Sequence, residues 1–158
     1  MRENMYRYKN LKQNSMYKER TDLTYSYIKA ENGMENAEEI LRRLQEAGFK
    51  IIGQKLFRYT ETTAKDLYGE HEGKHFYERL MTFTCSADVI ALVLQKDNAV
   101  EAWRDFIGDT KKPAEGTIRY LFQIPNDGEK NVVHGTDKPE RVREEALTPF
   151  PELAYLWE

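Results

Sequence analysis

Between Leu23 and Ile28, large apolar Leu23, Tyr25 and Tyr27 alternate with Thr24 and Ser26, the period of a strand with two unlike faces. Glu31, Asn32 and Gly33 read as a turn. The period then changes: Ala37, Ile40, Leu41, Leu44 and Ala47 recur every three or four residues, predicting a helix that Gly48 ends. Phe49 to Tyr59 predicts a second strand, with Gly53 as a candidate bulge. Thr60 opens a second helix carrying Leu67 and Tyr68, and after a break at Gly73 a third runs from His75 to Thr84. Val89 to Leu94 is almost continuously apolar, a strand buried on both faces. Asn98 and Glu101 predict a capping box for a helix bearing Val100, Trp103 and Ile107.

Two polar loops follow, Gly108 to Gly116 and Pro125 to Lys130, with a short segment around Ile118 to Phe122 between them. Val132-Val133 predicts a fourth strand, His134 stands at its end, and Gly135 allows a sharp turn. Asp137-Lys138-Pro139-Glu140 is a helix start, with Asp137 as the cap, a proline in the first turn and an acid three residues on. The order β-α-β-α-α-β-α-β-α predicts an α+β ferredoxin-like sandwich, a four-stranded antiparallel sheet covered by helices.

Composition narrows the class. At 158 residues, 40% hydrophobic and 32% charged, the chain reads as one soluble domain over 20–158. Residues 1–19 form a basic N-terminal extension: positions 1–20 hold six Lys/Arg against two Asp/Glu. No apolar run has the length of a membrane span, and the single cysteine, Cys85, suits a reducing cytoplasm. A net charge of −3 argues against nucleic acid as the main partner.

His134 is the first chemical candidate, because imidazole keeps a neutral, nucleophilic fraction near pH 7. A lone histidine at a strand end is ordinarily a hydrogen-bonded structural residue, so its neighbours decide the matter. His71-Glu72-Gly73-Lys74-His75 spells H-E-x-x-H, but the central glycine weakens the helix that zinc binding needs, and zinc hydrolysis is set aside. There is no P-loop either. Arg104, Thr110 and Arg119 flank the first polar loop and suit bidentate phosphate contacts.

Glu-Ala-Gly-Phe-Lys (46–50), Tyr-Gly-Glu-His-Glu-Gly-Lys-His-Phe (68–76), Gly-Thr-Ile-Arg (116–119) and Asn-Val-Val-His-Gly-Thr-Asp (131–137) occur in that order. In these stretches the span from Arg20 to Leu153 resembles the nucleoside diphosphate kinase family. The resemblance implies ping-pong transfer of a γ-phosphoryl group from a nucleoside triphosphate to a nucleoside diphosphate through a phosphohistidine. By position His134 matches the nucleophile, Glu145 the acid on its far nitrogen, and Thr136 the hydroxyl that supports the acid. Lys29, Tyr68, Arg104, Thr110, Arg119 and Asn131 match contacts to phosphates and ribose, and Phe76 the aromatic on which the base stacks. Mg²⁺ is implied on the β- and γ-phosphates, with Asp137 and Glu70 nearby through water and no direct protein ligand. A homo-oligomer is implied as well.

The chain departs from the family at Lys29-Ala30-Glu31, where Lys-Pro-Asp is usual, and at Tyr120-Leu121, where Gly-Asp is common. The altered turn after Lys29, with a shorter loop from Thr110 to Arg119 and a slightly longer one from Gln123 to Lys130 than in most members, motivates an alternative, a non-catalytic nucleotide-binding relative acting as sensor or scaffold. A third reading is an RNA-binding module built on the basic arm and the strand tyrosines.

Overall fold

The computed structural model describes residues 17–124 and 127–158. The basic arm at 1–15 lies outside the described residues, as do Pro125 and Asn126 of the second polar loop.

The elements are β1 (Leu23–Ile28), α1 (Asn32–Glu35), α2 (Ala37–Glu46), β2 (Lys50–Phe57), α3 (Glu61–Tyr68), a 3₁₀ turn (Gly69–His71), α4 (Tyr77–Thr84), β3 (Val89–Gln95), α5 (Ala99–Ile107), α6 (Ile118–Phe122), α7 (Pro139–Leu147) and a closing 3₁₀ segment (Pro151–Trp157). The sheet is antiparallel in the order β1-β3-β2. Helices cover both of its faces. Tyr25, Tyr27, Ala91 and Val93 pack with residues of α3, α4 and α7 on one side; Ile28, Leu92 and Leu94 pack with α2 and α5 on the other. All of β1 is therefore buried, Thr24 and Ser26 included.

The sheet has three strands among the described residues, where the apolar pattern predicts four. Residues 132–136 do run antiparallel along the free edge of β1: Lys29 N–H donates to the Val132 carbonyl at 2.8 Å, and the His134 and Thr136 amides donate to the Tyr27 and Tyr25 carbonyls at 2.9 and 3.3 Å. Only the Ile28–Val133 pair forms a bridge. Two local features stop the ladder. Val132 has φ 76°, in a tight turn closed by the Val133 amide on the Asn131 carbonyl at 2.9 Å, and a β-branched residue there cannot continue a strand. The His134 carbonyl accepts instead from Ser26 Oγ at 2.6 Å and Trp103 Nε1 at 3.0 Å.

Other local readings are corrected similarly. Asn32–Glu35 is a short helix rather than a bare turn. Asn98 adopts φ 50°, ψ 51° and its side chain caps nothing, so the box with Glu101 does not form. Lys138, not Asp137, is the cap residue of α7, without a side-chain bond, and Pro139 holds the first turn. The third helix starts at Tyr77, so His71 and His75 share no helical face. Gly135 has no positive φ; it is needed because a Cβ there would come within 3.1 Å of Ile107 Cδ1. The register shift between Ile51 and Gly53 bears out the bulge, and Thr60 caps α3 through a reciprocal bond with Thr63.

Candidate active site

The edge segment 131–137, α3–α4, and the start of α7 enclose a cleft of about 980 Å³. His134 lines it with Lys29, Tyr68, Glu70, Phe76, Arg104, Thr110, Arg119, Asn131, Asp137 and Glu145, so eleven of the twelve residues read from the sequence share one cavity. Thr136, the twelfth, is fully buried behind it.

His134 Nε2 lies 2.7 Å from Glu145 Oε1. A carboxylate only accepts, so Nε2 carries a proton, and in the neutral imidazole the lone pair is on Nδ1. Nδ1 has no hydrogen bond among the described residues. Thr136 Oγ1 donates to the same Glu145 oxygen at 2.7 Å, the shorter of its two contacts; the Tyr25 carbonyl is 3.1 Å away. Arg141 Nε approaches Glu145 Oε2 at 3.7 Å, and its Nη1 donates to Glu70 at 3.0 Å. One turn of α7 separates Arg141 from Glu145, which puts both on one face. This geometry also selects Glu145 over its neighbour Glu144 as the partner of the histidine.

Arg119 is buried and holds three backbone carbonyls, which leaves one N–H on each terminal nitrogen. Its Nε, Nη1 and Nη2 donate to the carbonyls of Asn131 (3.0 Å), Gly108 (2.8 Å) and Val133 (2.8 Å). It therefore ties the loop after α5 to the strained turn that presents His134. Burial, then the nearby charge of Arg104, lowers its pKa to about 10, and it stays cationic at neutral pH. Arg104 Nη1 donates to the Gly135 carbonyl at 3.1 Å from the opposite rim. Asn131 Nδ2 donates to the Gly128 carbonyl at 3.0 Å, while its buried Oδ1 has no partner among the described residues. Phe76 is half-buried at the start of α4, with the His71 and His75 rings 5.5 and 5.6 Å away. Gln123 donates to the Thr110 carbonyl at 2.7 Å and fixes that wall.

Lys29 remains in the cleft despite the changed turn after it. Burial first, and the Arg119 charge second, push its amine down to about 7, while Glu129 acts in the opposite direction. The unfolded chain, with an ordinary lysine near 10.5, binds more protons than the fold between about pH 7 and 10.5. Folding stability is therefore expected to rise with pH across that window. The difference between the wild-type and Lys29→Met slopes in denaturant titrations is expected to reach at most about 1.4 kcal/mol per pH unit; coincident slopes would refute the assignment.

Sequence reasoning missed Arg141, whose spacing of four from Glu145 was an available signal, and Arg79, which pairs with Glu129 at 3.0 Å across the mouth of the cleft. Tyr25 and Tyr27 pack in the sheet core, and their rings also lie behind His134, at 5.8 and 5.2 Å, a neighbourhood that no local pattern announces. Among the described residues no group of three or more His, Cys, Asp or Glu is placed to hold a metal ion, so H-E-x-x-H builds no zinc site there.

A cleft that brings a histidine together with a lysine, arginines and an aromatic side chain suits a phosphate-bearing aromatic ligand. A family profile for nucleoside diphosphate kinase matches residues 22–154. The nucleoside diphosphate kinase of Pasteurella multocida is 42% identical over 115 residues, covering 72% of this chain and 81% of that protein. A thioredoxin domain-containing protein 3 homolog of Heliocidaris crassispina is 37% identical over 138 residues; the match takes in 84% of this chain and spans 16% of that longer protein. A halophilic nucleoside diphosphate kinase from Halobacterium salinarum, solved in complex with CDP, superposes with a TM-score of 0.72 at 32% identity, over 83% of this chain and 88% of that one. The chain belongs to the nucleoside diphosphate kinase family, and its activity is that of a nucleoside diphosphate kinase.

Proposed function

We propose that His134 carries the phosphoryl group in a ping-pong exchange between nucleotides. The observation that supports this best is the 2.7 Å contact of Nε2 with Glu145, which leaves the Nδ1 lone pair free in the cleft. That lone pair forms a bond to the γ-phosphorus of a nucleoside triphosphate. The bond from phosphorus to the bridging oxygen breaks, and the diphosphate leaves with its electron pair. A second nucleoside diphosphate reverses the step. The proton on Nε2 stays in its bond to Glu145, which Thr136 and Arg141 orient.

Lys29, Arg104, Arg119, Thr110, Tyr68 and Asn131 bind phosphates and ribose, and the base stacks on Phe76. Stacking accepts any base, which suits exchange among different nucleotides. The donor set fits Mg²⁺ carried in on phosphates: among the described residues no three of the carboxylates lining the cleft are grouped to cage an ion, while Asp137 and Glu70 would suffice for water-bridged contacts. When bound, the ion neutralises charge on the β- and γ-phosphates.

In our reading the kinase domain is 20–158, with 1–19 an extension to it, and the edge segment outside β1 takes the place of the fourth strand of a ferredoxin-like sandwich. The enzyme works in the cytoplasm, where the Cys85 thiol stays reduced. It self-assembles as a homo-oligomer. β2 is an edge strand, and Leu56 on it is 65% exposed, a surface suited to pairing with a second copy. No described helix is long and apolar enough to cross a membrane.

The test is incubation with γ-labelled ATP and Mg²⁺. The expected result is an acid-labile, alkali-stable label on the protein that leaves when GDP is added. ATP-dependent stabilisation without any label would favour the sensor reading instead.

A further inference from the structure

We propose that Tyr27 is a positioning residue that stabilises the phosphorylated form of His134 through the face of its ring. Its centroid lies 5.2 Å from that of the His134 imidazole, and the planes are inclined by only 13°. Tyr25 and Tyr68 also approach the imidazole, at 5.8 and 6.2 Å, but at 53° and 79°. Tyr27 alone of the three stacks on it.

The stack is held rigidly. Tyr27 is fully buried, its hydroxyl shares a short hydrogen bond with that of Tyr68, and the Tyr59 ring packs 5.1 Å from it. Burial also raises the Tyr27 phenol pKa, so the ring stays neutral and its face keeps an ordinary negative quadrupole. Lys29 Nζ lies 5.9 Å from the same centroid. One buried aromatic ring thus touches both the proposed nucleophile and the lysine proposed to meet the phosphate.

The electron balance of the transfer gives this contact a consequence. Before the step the imidazole is neutral, with a proton on Nε2 and a lone pair on Nδ1. Forming the Nδ1–phosphorus bond uses that lone pair, and the Nε2 proton remains. The ring becomes imidazolium-like, with the compensating negative charge on the phosphoryl oxygens. A π face interacts more favourably with the cationic ring than with the neutral one. Tyr27 therefore shifts the exchange of phosphoryl between ATP and enzyme toward the phosphoenzyme. This rests on His134 being the phosphoryl carrier.

The test uses the full chain with Phe, 4-fluoro-, 3,5-difluoro- or pentafluorophenylalanine at position 27. Fluorination drains the face of the ring while nearly preserving its shape, which separates the π contribution from packing. Tyr27→Phe is the zero point and accounts for the lost hydroxyl. The measured quantity is the equilibrium ratio of labelled enzyme to free enzyme at a fixed ATP/ADP ratio. It is expected to fall stepwise with fluorination, by about tenfold from Phe to the pentafluoro variant. A wild-type chain that labels normally beside a flat fluorination series would overturn the role of Tyr27 alone. A wild-type chain that takes no alkali-stable label would overturn the phosphohistidine reading, and this inference with it.

Discussion

His134→Ala is expected to abolish phosphoryl exchange, by about 10⁴-fold or more, while leaving a folded protein. The size follows from the roles. Positioning and charge neutralisation assist phosphoryl transfer, but a ping-pong route has no covalent intermediate once its only nucleophile is gone. The change in stability is expected to be modest, about 1 to 2 kcal/mol, because the bonds that hold the backbone here do not use the imidazole. The His134 amide donates to Tyr27, and its carbonyl accepts from Ser26 and Trp103. Glu145 keeps Thr136 and Arg141. Coupled-assay turnover and a denaturant titration on the same sample check both halves. Retained exchange would remove His134 from the mechanism.

That separation of chemistry from scaffold also explains which parts of the molecule were legible in the chain. Elements with a clear period were read to within a few residues: β1, α2, β3 and the helix of Trp103 all formed where the apolar spacing put them. The site residues were legible because the resemblance rests on short stretches whose order is preserved, and eleven of them line one cleft. What failed was anything decided by non-local bonds. Val132-Val133 has the composition of a strand. Its conformation is set by a guanidinium twelve or more residues away and by side chains that take the His134 carbonyl. The Asn98 cap failed for a related reason: the residue turned left-handed, and the first helical amide, Ala99 N–H, found the Thr21 carbonyl at 2.9 Å. Alternation in β1 could not show that both faces would be covered, nor that Tyr25 and Tyr27 would surround a histidine 107 to 109 positions later.

Arg119→Ala is expected to produce the largest loss of stability of any single cleft substitution, about 3 to 5 kcal/mol. The guanidinium satisfies three carbonyls at once, those of Asn131, Gly108 and Val133. Each buried acceptor left unpaired costs about 1 to 3 kcal/mol, and water entering from the cleft recovers part of the sum. Two of the three carbonyls flank Val132, whose φ of 76° is intrinsically unfavourable for a β-branched residue. Without the guanidinium the 131–133 turn is free to relax, and His134, attached directly to it, loses its fixed approach to the phosphate. Activity is therefore expected to fall by more than the loss of one phosphate contact accounts for. Arg119→Lys separates the two contributions: it restores the charge, but a single ammonium cannot span three carbonyls in the fork geometry of arginine. Unfolding titrations should then show most of the stability loss persisting in the lysine variant, with only partial recovery of turnover. If lysine restores both, Arg119 acts as a point charge on the nucleotide, and its role as the latch of the His134 turn is refuted.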